Sequence, residues 1–184
     1  MVFGQANPLA SPDEINEGAD ATHVVELSRA LSQRGHEVRI YVRKDGSRPP
    51  RATGLTIEAL PAGPAKAIQP EALLPHMGDF GRALAASWTD GSFRPDVVHA
   101  HSWLSGLAAL TATADNRIPV VVTYHGLGSV RRRHEGDRDP SPSTRIGMER
   151  TLGNMADRVI AQSEDEVAEL GRIGVHRADI VVSA

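Results

Sequence analysis

"PDVVHAHSWLSGLAAL", residues 95–110, changes its periodicity once, near its middle. Up to His101 it is short, β-branched and mostly apolar, the composition of a strand buried on both faces of a sheet. From Leu104 to Ala114 the apolar residues continue without proline for about three helical turns. A strand that runs directly into a helix is half of a crossover unit, and a crossover unit requires a parallel neighbour.

The same alternation extends in both directions. "EVRIYV" (37–42), "LTIEAL" (55–60), "PVVVTYH" (119–125), "DRVIAQS" (157–163) and "DIVV" (179–182) read as strands, and "MVF" at the start as the end of one more. Helical stretches fall between them at Asp20–Arg34, closed by Gly35, at Pro70–Ser87, at Ser143–Asn154 and at Glu164–Arg172, closed by Gly174. In the first helix Val24, Leu27 and Leu31, flanked by Val25, form the face expected to dock on the sheet. The expectation is an α/β domain, a mainly parallel sheet between two helical layers, occupying residues 1–184 as one unit. Two stretches depart from the alternation. Residues 44–54 and "VRRRHEGDRDPSPST" (130–144) are rich in charge and proline and read as exposed connections.

Composition narrows the function classes. The formal charge is -3, from 20 basic and 23 acidic residues, so nothing global attracts nucleic acid or an anionic membrane. Cysteine is absent, which removes disulfides, thiolate metal sites and cysteine nucleophiles. No apolar run approaches a membrane span and no signal peptide is evident, so a cytoplasmic location is expected. The glycine fingerprint of dinucleotide enzymes, the Walker loop, the G-x-S-x-G elbow and the H-E-x-x-H helix are all missing.

In an open parallel sheet, ligands bind beyond the carboxyl ends of the strands. The residues there are His101-Ser102-Trp103, His125-Gly126-Leu127-Gly128-Ser129, and Ser163 with Glu164, Asp165 and Glu166. Ser163 and Glu166 fit a capping box, a structural role. His101 and His125, each just past a strand, suit ligand contact, whereas His99 suits a hydrogen-bonded core position. His99, His101 and His125 could chelate a metal, but no carboxylate pair is spaced to complete the set, so no metal is expected. Arg131-Arg132-Arg133-His134 could clamp a phosphate, face an anionic membrane or be solvated; membrane contact has no other support in the sequence. Arg145 can pair with Glu149 one turn on, or point into the cleft.

Four stretches, "NPLASPDEINEGADATHVVELSRALSQRGHEVRIYVRK", "RPDVVHAHSWLSGLAAL", "IPVVVTYHGLGSVRRRH" and "ERTLGNMADRVIAQSEDEVAELGRIGV", together resemble the N-terminal half of family 4 glycosyltransferases of the GT-B fold. The nearest branch contains sucrose-phosphate synthases and the inositol-phosphate N-acetylglucosaminyltransferases of mycothiol synthesis. The resemblance implies a Rossmann-like domain that is one half of a GT-B enzyme and chiefly binds the acceptor. It also implies a nucleotide-sugar as co-substrate rather than a cofactor, and retention of anomeric configuration with the donor's own phosphate assisting. The family's donor-domain glutamate pair has no counterpart in the sequence, so a C-terminal donor-binding domain is expected to be missing and the chain to be inactive alone.

By match to the family motifs, His125 is implied at the catalytic centre against the donor hexose. Gly18 and Ala19 are implied in a loop that approaches the donor diphosphate, with Ala19 standing where the family has a second glycine. Ser102, Gly126 and Arg145 are implied around the acceptor, and His101, Trp103 and Arg131, from their places at the same strand-end edge, are the candidates to join them. At positions where the mycothiol branch holds the acceptor phosphate, this sequence has Pro70, Ser102, Gly126 and only Arg145 in common. These departures argue against inositol phosphate, although Arg131 or Lys66 could hold an anion differently. A non-catalytic Rossmann-like module that binds a ligand or partner is the alternative.

Overall fold

The computed structural model describes residues 1–4, 17–46, 53–89, 93–176 and 178–180. Among the described residues seven strands, β1 (Val2–Phe3), β2 (Arg39–Arg43), β3 (Thr56–Leu60), β4 (Val98–His101), β5 (Val120–Thr123), β6 (Arg158–Ala161) and β7 (Ala178–Ile180), form one sheet. Their order is β3-β2-β1-β4-β5-β6-β7. Every described pairing is parallel, as the apolar strand composition requires. The α-helices are α1 (Glu17–Gln33), α2 (Met77–Thr89), α3 (Trp103–Thr113), α4 (Gly128–Glu135), α5 (Arg145–Met155) and α6 (Glu164–Ile173).

The core lies on the two faces of this sheet. One cluster joins Val98, Ala100, Val120, Val122 and Val159 to Phe80, Leu84, Leu104, Leu152 and Leu170 from the covering helices. The other is small: Ala21 and Val24 of α1 pack on Phe3, Ile40 and Val42. The docking face of α1 is centred on Ala21, Val24, Val25 and Ser28, all buried, while Leu27 and Leu31 are only half-buried. Ser28 tolerates burial because its hydroxyl donates to the Val24 carbonyl at 2.7 Å. Helices α2 and α3 approach so closely that a Cβ on Gly81 would lie 2.7 Å from the Ala108 carbonyl oxygen.

Three expectations change. The single helix predicted over 70–87 is a 3-10 segment, Pro70–His76, followed by α2; Pro75, inside it, lacks the N–H that an α-helix there would use. The stretch expected to be a long exposed connection begins with helix α4 and a 3-10 turn at Gly136–Arg138, because its arginines find carboxylate partners. Helix α1 begins at Glu17, so Gly18 and Ala19 lie in its first turn rather than in a loop. Residues 47–52 of the expected 44–54 connection, and 181–182 of the last predicted strand, lie outside the described residues.

Candidate functional site

The strand order reverses between β1 and β4, where crossovers leave to opposite sides and a crevice must open beyond the carboxyl ends. A cleft of about 1110 Å³ lies at this edge, lined from β4 by Ser102 and Trp103, from β5 by His125 and Gly126, and from α1 by Asp20.

The two strand ends that face it are strained. Ser102 has φ 88° and ψ 158°, and His125 has φ 55°; neither is glycine. Such conformations cost about 1–3 kcal/mol each and persist where the surroundings over-determine them. For Ser102 they do. Its N–H donates to the Thr123 carbonyl at 2.8 Å, its hydroxyl caps α3 by accepting from the Ser105 N–H, and the Ser105 hydroxyl in turn accepts from the Gly4 N–H at 3.0 Å.

Behind this edge four histidines pack together. His99 Nε2 lies 2.8 Å from Thr123 Oγ1, the hydrogen-bonded core role expected for it. His101 Nδ1 lies 2.9 Å from His125 Nε2, and His23 of α1 meets both rings edge-on. Burial lowers His99 to about 3 and His125 to about 4, and pushes His101 down as well, so all three are neutral at neutral pH. The tautomers follow from Asp20, whose Oδ1 is 3.4 Å from His125 Nδ1. A proton on Nδ1 faces the carboxylate, so His125 Nε2 accepts from His101 Nδ1–H. The lone pair of His101 Nε2 is then left buried with no hydrogen-bond partner among the described residues. His23, His101 and His125 present ligand nitrogens within 4.8 Å of one another, the set that could hold a metal.

The far wall of the cleft carries arginines and acids in pairs. Arg131 reaches Glu71 at 3.0 Å and Glu135 at 3.2 Å. Arg133 grips Glu169 with two N–H groups, at 3.1 and 2.8 Å, and Glu169 also takes Arg172 and the Ser129 hydroxyl. Arg145 donates to Glu149 at 2.8 Å, Ser141 at 3.0 Å and the Gly126 carbonyl at 2.9 Å. Its guanidinium stands 5.6 Å from the centre of the Trp103 ring. Gly128 is held against it: a Cβ there would lie 2.9 Å from Arg145 Cδ.

Of the candidates read from the sequence, Ser102, Trp103, His125, Gly126, Arg131 and Arg145 line the cleft together. His101 does not; it is fully buried behind His125, which it orients. The His125 ring is itself only 3% exposed, so it meets the cleft along an edge. Arg145 is chiefly a strut, with three of its five N–H groups spent on the protein. Gly18 and Ala19 lie within the first turn of α1; their side-chain surroundings lie outside the described residues. Asp20 and His23 were missed. Their three-residue spacing at the start of a helix following the first strand puts them on one face, and that was the available signal.

The fold and cleft define a doubly wound α/β ligand-binding domain with its site at the switch point. The Glycosyltransferase Family 4 profile matches residues 21–183, and the chain belongs to this family. It is 32% identical over 173 residues to a D-inositol 3-phosphate glycosyltransferase of Thermobifida fusca, covering 89% of this chain and 39% of that protein. It is also 32% identical to the protein of the same name from Kribbella flavida, covering 92% and 42%. The chain thus spans about two fifths of the length of these curated relatives. A solved sucrose-phosphate synthase from Thermosynechococcus elongatus shares its fold, with a TM-score of 0.84 at 24% identity, over 97% of this chain and 46% of that one. No helix among the described residues is long and apolar enough to cross a membrane.

Proposed function

We propose that the chain is the acceptor-binding domain of a retaining glycosyltransferase that moves a hexose from a nucleotide-sugar to a hydroxyl acceptor. The observation that carries this reading is the cleft of about 1110 Å³ at the switch point, in a family 4 chain that spans two fifths of its relatives' length. A cleft of that size takes an acceptor and the reacting end of a donor, and a second domain would cover it.

The chemistry asked of this domain is positioning and electrostatic support. Ser102, Trp103 and Gly126 shape the acceptor wall. His125, fixed by Asp20 and His101, presents a neutral edge to the donor hexose. The N-terminus of α1, where Gly18 and Ala19 lie, leaves backbone N–H groups that suit the donor diphosphate. The reading uses no metal: Asp20 and the His101–His125 hydrogen bond already engage three nitrogens of those two rings. The relatives are named for inositol 3-phosphate.

The test is to incubate this chain, alone and in the longer enzyme that carries a donor domain, with a panel of nucleotide-sugars and polyol acceptors, following products by NMR. Transfer with retention by the longer enzyme and none by the chain alone is the expected result. Nucleotide-sugars that neither bind nor react with the longer enzyme overturn the reading.

A further inference from the structure

Each arginine beside this cleft, and a leading N–H group at each of helices α3, α4 and α6, already holds an oxygen of the chain itself. The four lining arginines, Arg131, Arg133, Arg145 and Arg172, are each in an ion pair with a carboxylate. A leading N–H group at three helix N-termini is filled in the same way. At α3 the Ser102 hydroxyl accepts the Ser105 N–H. At α4 both Glu149 carboxylate oxygens accept the Gly128 N–H, at 3.1 and 2.9 Å. At α6 Ser163 accepts the Glu166 N–H at 3.2 Å, and Glu166 Oε2 accepts the Gln162 N–H at 2.7 Å.

Beyond this pairing, the lining is acidic. Six carboxylates stand against the four guanidiniums, a formal excess of two negative charges. Three acids, Glu164, Asp165 and Glu166, occupy the first turn of α6 and offset its dipole. The other Glu166 oxygen, Oε1, is buried with no hydrogen-bond partner among the described residues, and Glu166 lines the cleft. A buried acceptor atom of this kind is satisfied by a hydroxyl or ammonium donor and repels a phosphate.

We infer that the acceptor is a polyol carrying no anionic group, and that this cleft discriminates against phosphorylated acceptors. The inference rests on the reading of the cleft as the acceptor site. To enter, a phosphate would have to displace Glu71, Glu135 or Glu169 from an arginine and then sit beside the displaced carboxylate, and such like-charge juxtaposition is costly. A neutral polyol meets none of this and can use both partners of each pair, donating to the carboxylate and accepting from the guanidinium.

The experiment is a titration of the 15N-labelled chain with inorganic phosphate, myo-inositol and a myo-inositol monophosphate, read at the amides of Gly126, Gly128 and Arg131 to Arg133. The expected result is that the monophosphate binds no more tightly than the parent polyol and that phosphate gives no saturable shift. The double variants Glu71→Gln/Glu135→Gln and Glu71→Ala/Glu135→Ala, each checked for a native circular dichroism spectrum, should tighten monophosphate binding about tenfold by taking both of its nearer carboxylates from Arg131. Saturable phosphate binding at these amides in the wild-type chain overturns the inference, as does a monophosphate preference over the polyol. Folded variants that gain no affinity overturn it too. None of these results touches the transferase reading, which is decided by donor use in the longer enzyme.

Discussion

The Nδ1 atom of His101 meets the Nε2 atom of His125 at 2.9 Å, joining the carboxyl ends of the adjacent strands β4 and β5 through two uncharged rings. The hydrogen bond requires at least one of the two rings to be neutral, and Asp20 on α1 sets which of them donates.

Acid should therefore unfold the chain through these histidines. Their folded pKa values, about 3 for His99 and about 4 for His125, lie below the unfolded value of about 6.5. The unfolded chain thus takes up protons first, and stability falls as pH drops from 6.5 towards 4. Each histidine contributes at most about 1.4 kcal/mol per pH unit in that window. Urea midpoints measured at neutral pH and at about pH 5 should differ clearly, with His99→Gln flattening the slope. Equal midpoints at the two pH values would remove the histidines from the account.

His125→Ala in the longer enzyme should lower turnover by about 100-fold or more, with the circular dichroism spectrum of the fold retained. Steady-state kinetics measure it. Wild-type turnover would return His125 to a packing role, since its left-handed backbone and buried ring already fit that description.

Glu149→Ala should be among the most destabilising single changes. Glu149 is fully buried, accepts from Arg145 and from the Gly128 N–H, and its loss leaves a buried guanidinium uncompensated, at about 3–5 kcal/mol. Glu149→Gln should cost less, because an amide oxygen can still accept from Gly128. Thermal or urea denaturation of the two variants decides; equal losses in both would show that the charge facing Arg145, and not the acceptor for the Gly128 N–H, carries the effect.

Ala19→Gly tests the helical assignment of the first turn of α1. In a helix the substitution costs about 0.5–1 kcal/mol, whereas in a turn with positive φ it would stabilise. A rise in melting temperature would contradict the helix beginning at Glu17.

The fold was legible because most strands and helices announce themselves locally: Val97–Val98 and Val120–Val121–Val122 are β-branched runs, and Gly35 and Gly174 end their helices with positive φ. The position of the cleft followed from the topology. The pairing within it did not. Arg131 and Glu71 are far apart in sequence, and nothing local says that Arg131 is spoken for. The same long-range placement hid Asp20 and His23, and it turned His101 from a ligand contact into the support behind His125. Helix α4 was obscured by its charge, which reads as solvated until Glu71 and Glu169 are brought to it.

The unequal size of the two hydrophobic clusters has a consequence for how the site breathes. The wall that supplies Asp20 and His23 rides on α1, held among the described residues by Ala21 and Val24 against Phe3, Ile40 and Val42. The wall that supplies His101 and His125 is embedded in the larger core. Regions with fewer buried contacts open first, so amide protons of α1 should exchange with solvent well before those of β4 and β5. The His125 ring, shut in at 3% exposure, would then gain its access to a substrate from the loosening of a helix rather than from any motion of its own strand.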